Sequence, residues 1–458
     1  MTAECRPNER LRRLMAEAGW TGQQLACQVN GAGAEVGVPL RYGRAAVAHW
    51  LSGMRPRHPV PGLIAEALSR RLGRPVSVVA AGLAAGPVAR LADAAQPGQA
   101  GAGSQDGSGG QEADAVMRLV KLNADLNADR RRILHGAYSL AALAVPGCAQ
   151  AAAAIPPARH PRGQAGTAQA DSAEAMTGVF SEVDSAFGGG CARVALSGYL
   201  ALDIAPWLRA RMSPAVRRRM FGAAAELAYL CAFMCFDQQL NGAAQHYYQA
   251  AMRLTADNGD AVAYAVTLRA MSVQAYSLGH RLHALHLAEA ALSGTPARIK
   301  PGTHAFLQGQ AAVAAAGTGD RRSALTRLGA AERLLERASS PAGNVGGYHQ
   351  AALAHQHAEV LAALGDRPGA ARALAVCIRH RPPSERRARA ITRARLAGLQ
   401  LDQGHLEEAS ATWQNFLDDY PHLRSGRADA ALGTLRARLR PYRRNTAAAA
   451  LLRRAAVL

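Results

Sequence analysis

Apolar side chains recur along this chain at helical spacing, interrupted by glycine and proline, and the pattern predicts an all-α protein. From residue 8 the apolar stripes come in short runs. Asn8 suits an N-cap before Leu11, Leu14 and Met15, and Gly19 ends that helix. Thr21 caps a second helix carrying Leu25, Ala26 and Val29, which a Gly-rich stretch around Gly31, Gly33 and Gly37 brings to Pro39. A third helix is predicted from Tyr42 or Gly43 to a stop at Gly53. Beyond Pro56, Pro59 and Pro61, Leu63, Ile64, Ala67, Leu68 and Leu72 give a fourth, and Val76–Leu83 leaves room for a fifth. Residues 85–113 hold almost no large apolar side chain and read as a flexible linker. A helical segment is expected over 114–145, a second Ala/Pro/Gly linker over 146–170 and a helical lead-in over 171–213.

From residue 214 onward the stripes repeat. Gly279 is followed at fixed offsets by Ala284, Ala288, Ala291 and Pro296. Gly365 is followed at the same offsets by Ala370, Leu374, Cys377 and Pro382, and Gly404 by Ala409, Trp413, Phe416 and Pro421. Gly319 has Ala324, Leu328 and Ala331 at the first three of those offsets. An earlier copy carries Ala244, Tyr248 and Ala251, with Asn241 near its turn. These positions match the tetratricopeptide (TPR) repeat, in which small residues let two helices cross closely while glycine closes the turn. About five repeats over 214–440 predict a C-terminal TPR-like α-solenoid, since each repeat has an apolar face that only its neighbour covers. The steps from Gly279 to Gly319, Gly365 and Gly404 all exceed the compact TPR period, so longer loops are expected, notably at Ser339–Gly347. A basic tail helix is expected over 441–458.

Charge sharpens the picture of partners. The chain has 458 residues and a formal net charge of +20, which attracts polyanions, double-stranded DNA first. All but Lys121 and Lys300 of its basic residues are arginine, a bias that a GC-rich genome also produces. Seven cysteines without CxxC pairs give no disulfide framework, and the polar, basic opening stretch gives no export signal, so a cytoplasmic location is expected. Arg130–Arg132 before the apolar run Ile133–Val145 has the look of a twin-arginine signal. It lies far from the start, and its apolar run is too short to span a bilayer, so a buried helix is expected and no membrane partner.

The third predicted helix, RAAVAHWLSG from Arg44 to Gly53, is the candidate DNA reader. A helical wheel puts Val47, Trp50 and Leu51 inward and Arg44, Ala45, Ala48 and His49 outward. Arg44 stands at the tip that would enter a major groove, where a guanidinium can bind guanine O6 and N7 together. Arg41, Arg55 and Arg57 flank it and suit phosphates. The stretch GRAAVAHWLSGMRPRHPVP, preceded by TGQQLACQV, resembles the Xre/lambda-repressor type of helix-turn-helix. The likeness is to actinobacterial (Streptomyces-type) regulators in which such a domain precedes TPR repeats and which act on differentiation and antibiotic production. AAAELAYLCAFMCFDQQLNGAAQHYYQAAMRL resembles their first repeat and DRRRILHGAYSLAALAVP their middle segment. This chain departs from them in the long connection between Val29 and Tyr42, where many such domains use a tight turn.

Other clusters carry weaker chemistry. Cys231 and Cys235 fall on small-residue positions of the first repeat, so packing is favoured over metal. His355 and Glu359 share a helix face without forming HExxH. His280, His283 and His286 ring a repeat turn and are expected at the surface. Arg386, Arg389 and Arg393, and Arg436, Arg440, Arg443 and Arg444, form basic faces that could add phosphate contacts, although a solvated or GC-biased terminal helix is the favoured reading. No P-loop, nucleophile elbow or carboxylate pair stands out, so no enzyme, cofactor or metal site is expected. The expectation is a transcriptional regulator: residues 1–84 dock on DNA through Arg41, Arg44, Ala45, His49, Arg55 and Arg57, and the solenoid takes a protein or peptide partner. Symmetric half-sites would require a homodimer. A TPR scaffold whose N-terminal bundle binds protein is the alternative, with a peptide-sensing receptor of the same architecture behind it.

Overall fold

The computed structural model describes residues 7–35, 40–57, 59–72, 74, 76–83, 119, 120, 122, 164–338 and 348–458. Among these the regular elements are helical, with one isolated bridge between Gln164 and Arg211. The linker expected at 85–113, nearly all of the segment at 114–145 with its arginine run, most of the linker at 146–170 and the Ser339–Gly347 loop lie outside the described residues. The helices fall into two compact units.

The first unit is built from α1 (Glu9–Ala18), α2 (Gly22–Glu35), α3 (Arg44–Leu51) and α4 (Val60–Leu72). Leu11, Leu25, Val47, Leu63, Ile64 and Leu68 are wholly buried at its centre. Asn8 caps α1 by accepting from the Leu11 N–H at 3.0 Å. Its own amide donates to the carbonyls of Ala81 at 3.0 Å and Gly82 at 3.2 Å, and its backbone N–H donates to Leu51 O at 2.9 Å. One side chain therefore ties the start of α1 to the segment after α4. Asn8→Ala should loosen the bundle by about 1–3 kcal/mol, because the cap is lost and two part-buried carbonyls lose their donor. Amide exchange over α1 to α4 in the full chain measures this; unchanged rates would show that the segment after α4 holds without the tie.

Two boundaries differ from expectation. α2 does not end at its glycines but runs through Gly31 and Gly33 to Glu35. Each helical glycine costs about 0.5–1 kcal/mol relative to alanine, but Ala32 is buried in the core and Asn30 is engaged further on. The Asn30 side chain donates to Tyr42 O and accepts from Tyr42 N, both at 2.9 Å, so the returning chain is bonded to the side of a continuing helix. Residues 76–83 form no fifth helix. They make one hydrogen-bonded turn closed by Gly82 at φ +68°.

The second unit opens with α5 (Thr167–Phe187), which begins inside the stretch expected to be linker, with Gly166 as its N-cap. α6 (Gly189–Tyr199) continues through a π-helical turn, Leu200–Ile204, into α7 (Ala205–Leu208). Five helical hairpins follow: α8 (Pro214–Asp237) with α9 (Asn241–Asp257), α10 (Ala261–Ser277) with α11 (Arg281–Ser293), α12 (Pro301–Gly317) with α13 (Arg321–Glu336), α14 (Gln350–Ala363) with α15 (Arg367–His380), and α16 (Arg386–Asp402) with α17 (Leu406–Asp419). This is a TPR-like α-solenoid. Gly279, Gly319, Gly365 and Gly404 turn four of the hairpins at φ between +84° and +87°, a region open to glycine at little cost. Ala244, Ala284, Ala324, Ala370 and Ala409, at the same step after each turn, are all buried, so the paired helices approach closely. In the first hairpin the left-handed position is Gln239, at φ +60°, and Asn241, expected near this turn, begins α9 just after it.

α8 is long and apolar enough to cross a membrane by length and composition, yet most of its apolar window is buried among its neighbours. At the other end, α18 (Gly426–Leu439) and α19 (Thr446–Ala456) cover the last hairpin. The expected tail helix is thus a packed cap, with Leu451 and Ala455 in the same core as Trp413 and Phe416.

The two ends of this unit meet. Gly190 N donates to Arg424 O at 2.8 Å and Arg424 N donates to Phe187 O at 2.7 Å. Gly188, Gly189 and Gly190 make this approach possible. A Cβ on Gly189 would stand 2.5 Å from Met234 O, and one on Gly188 or Gly190 would stand 2.7 or 2.8 Å from Arg424 O.

Candidate functional site

Two surfaces carry chemistry, one in each unit. On the first, α3 rests on α2 through buried Val47 and Trp50, with the Tyr42 ring edge-on to Trp50 at 5.2 Å. The Arg44 N–H also donates to Gln23 Oε1 at 3.3 Å, fixing where α3 begins. Once those inner positions are filled, Arg44, Ala45, Ala48 and His49 are exposed, and so are Arg41, Arg55 and Arg57 beside them. Leu51, expected inward, is only partly buried against the core. Acidic groups of the bundle are engaged elsewhere: Glu66 with Arg70 at 2.9 Å, Glu17 with Arg74 at 2.6 Å and Glu9 with Arg12 at 3.6 Å. The six residues singled out from the sequence are thus all exposed, on α3 or beside it in the chain.

The second is a buried cluster that was not singled out from the sequence. Where the ends of the repeat unit meet, Asp184 of α5 and Asp237 of α8 are buried and face Arg387 of α16 and Arg427 of α18. Arg387 donates to Asp184 Oδ2 at 2.8 Å and to Asp184 O at 3.1 Å, and lies 3.5 Å from Asp237 Oδ1. Asp237 also accepts from Arg427 at 3.0 Å, from Ser425 Oγ at 2.9 Å and from Gly189 N at 3.0 Å. Burial raises the Asp237 carboxyl, but the two guanidiniums and these donors outweigh it and hold it below the ordinary aspartate value. Asp184, with fewer donors, is instead pushed up by burial against the pull of Arg387.

Beside this cluster lies a cavity of about 270 Å³, to which all five first helices of the hairpins contribute. Its walls pair guanidiniums with aromatic faces. Arg269 lies 3.6 Å over the Phe306 ring and Arg387 4.8 Å over Phe233. His355 on α14 belongs to it. Burial, then Arg395, Arg381, Arg427 and Arg269, all disfavour its charged form and bring its pKa down to about 3.

That depression fixes a sign. An unfolded histidine takes up a proton near pH 6.5 while the folded one does not, so His355 causes stability to fall as pH drops from about 6.5 toward 3. About a third of the side chain still reaches solvent, so screening shrinks the loss below the full linkage value. His355→Gln should flatten this limb in urea unfolding followed from neutral into mildly acid solution; an unchanged slope would move the effect to another group.

Several weaker readings are settled by geometry. Arg386, Arg389 and Arg393 converge on Asp419, at 3.9, 3.1 and 2.6 Å, so one carboxylate offsets part of the charge of this face. Arg436 is turned to the Ala455 carbonyl, whereas Arg440, Arg443 and Arg444 line a shallow exposed hollow. His280 is buried as the N-cap of α11, not at the surface, because the turn glycine brings it under its own helix; His286 is exposed. Cys231 and Cys235 are buried side by side on α8, and burial pushes the Cys231 thiol well up, as packing residues require and reactive thiols do not.

A family model described as the SP15 N-terminal domain matches residues 11–84, the stretch that contains nearly all of α1 to α4. No curated protein matches the chain. Among solved structures, the crystal structure of the APC/C hetero-tetramer Cut9–Hcn1 aligns at 13% identity over 75% of this chain with a TM-score of 0.31, and the match spans 54% of that chain.

Proposed function

We propose that this chain is a helical-repeat scaffold carried to double-stranded DNA by its N-terminal bundle, and that it acts in transcriptional regulation. The repeat unit offers continuous helical surface to a protein or peptide partner, the use to which stacked hairpins are suited. The reading of the bundle rests on one observation: Arg41, Arg44, His49, Arg55 and Arg57 are exposed on or beside a helix whose inner face is committed to the core. α3 would enter the major groove with Arg44 on a base edge, while Arg41, Arg55 and Arg57 hold phosphates on either side. One such helix reads few base pairs, so a site made of symmetric half-sites would take a second copy.

Mobility-shift titration of the full chain on fragments of source genomic DNA, at physiological salt, tests this. Arg44→Ala should cost about 1–3 kcal/mol on the preferred fragment and relax the preference. Arg57→Ala should weaken all fragments alike and lower the salt dependence by about one counterion. Binding without any sequence preference would leave the scaffold and assign the bundle to a protein partner.

A further inference from the structure

The cavity between α5 and the first helices of the hairpins is lined by two kinds of side chain. It has an apolar lining from Val273, Phe306 and Ile391 and a cationic one from Arg269, Arg381, Arg387 and Arg427. Of these arginines, Arg387 faces Asp184, Arg427 faces Asp237, and Arg381 meets Glu385 at 2.5 Å. Arg269 pairs with no carboxylate among the described residues; its charge rests on the Phe306 ring and beside the tyrosines 229, 248 and 348.

The hydrogen-bond account has the same sign. Arg269 Nε, Arg381 Nε and Gln356 Nε2 are buried and have no acceptor. A buried donor left without an acceptor is costly to the fold, and these three belong to side chains that line one cavity. Asp184 Oδ1, an acceptor, and His355 Nδ1, whose role depends on the tautomer, are unpartnered as well. Protein groups of this cavity thus lack oxygens more than they lack donors, and they carry one guanidinium without a counter-charge.

We propose that this cavity is a binding site for a small planar organic acid, a monoanion whose carboxylate sits against Arg269 and Arg381 and whose ring lies among Phe306, Val273 and Ile391. An aromatic or conjugated acid fits better than inorganic phosphate because much of the lining is apolar, and better than a neutral ring because Arg269 is otherwise uncompensated. A hydroxyl beside the acid group would give Asp184 Oδ1 its donor. Such a ligand would touch α10, α12, α14 and α16 at once and so couple its binding to the packing of four hairpins. This assignment is independent of the reading of α3, since it needs no DNA.

Calorimetric titration of the full chain, without DNA, uses 1-naphthoate, 1-naphthamide and inorganic phosphate as probes. Saturable binding of naphthoate is expected at or below millimolar concentration, at least about tenfold tighter than the amide, because hydrogen bonds to a charged group are the stronger kind. Arg269→Met should abolish that difference. Ala352→Phe, which fills the cavity and leaves every arginine in place, should abolish binding even if the first variant folds poorly. Equal affinity for acid and amide, phosphate binding as tightly as naphthoate, naphthoate binding that survives Ala352→Phe, or no saturable naphthoate binding would each overturn the assignment.

Discussion

Arg387→Ala is expected to destabilise the repeat unit by about 3–5 kcal/mol, the cost of removing one partner from a buried ion cluster. Arg387 is the only residue that reaches both buried aspartates, at 2.8 Å to Asp184 and 3.5 Å to Asp237, among the described residues. Its loss strands Asp184 in the interior without its guanidinium and leaves Asp237 with the guanidinium of Arg427 and its two uncharged donors. Arg387→Lys keeps the charge but cannot bond Asp184 Oδ2 and O together, so an intermediate loss is expected. Removing the stranded charge as well, in Asp184→Leu with Arg387→Met, should recover part of the deficit, because two apolar groups leave no uncompensated ion. The sign of the pH effect gives a further check. Asp184 is already pushed up by burial, and without Arg387 it rises further, so the Arg387→Ala deficit should shrink as the medium is acidified. Urea unfolding at neutral and acid pH measures both; a neutral-pH loss of only about 1 kcal/mol, the value of an exposed pair, would mean water reaches the carboxylates.

How much of this was legible in the sequence depends on whether a feature is local. The repeat could be read because each hairpin is a short unit in which glycine at the turn and a small residue soon after it recur. The first turn could be placed only as near Asn241, because Gln239 occupies the position that glycine marks elsewhere, although Ala244, Tyr248 and Ala251 keep the same offsets from it. The outward face of α3 followed from Val47 and Trp50, since filling the inner positions of so short a helix leaves little choice for the rest. The meeting of the ends was invisible. Asp184 and Arg387 are 203 residues apart, and in a chain whose basic residues are nearly all arginine, no single guanidinium in the run Arg379–Arg395 stands out as buried. Gly188, Gly189 and Gly190 were the available signal: three glycines between two helical patterns mark a close backbone approach. The cavity was harder still, since each helix gives it only a few residues, and only the three-dimensional stack brings them together.

Trp413→Ala should be felt at both ends of the repeat unit, and this is the sharpest consequence of the ends meeting. Trp413 is 1% exposed and stands at the position after Gly404 where other hairpins carry Tyr248, Ala288, Leu328 or Leu374. Truncating a buried tryptophan costs about 3–5 kcal/mol through lost burial and the cavity left behind. In an open solenoid, each hairpin leans only on its neighbours, so damage to the last one frays that end and stops there. Here α18 packs on α16, and the segment around the start of α18 holds α5, α6 and α8 through the Arg424 backbone, Ser425 and Arg427. Loosening α17 should therefore release α5 and α6, at the far end of the sequence of this unit, before it reaches α12 and α13 in the middle of the stack. Hydrogen exchange on the full chain separates the two behaviours. Faster exchange in α5, α6 and α17 to α19, with α12 and α13 nearly unchanged, is the expected pattern. Exchange confined to α17 to α19 would mean that the end contact forms without energetic coupling. Leu328→Ala, on α13 and far from the junction, supplies the contrast, since its effect should spread outward from the middle and reach α5 last.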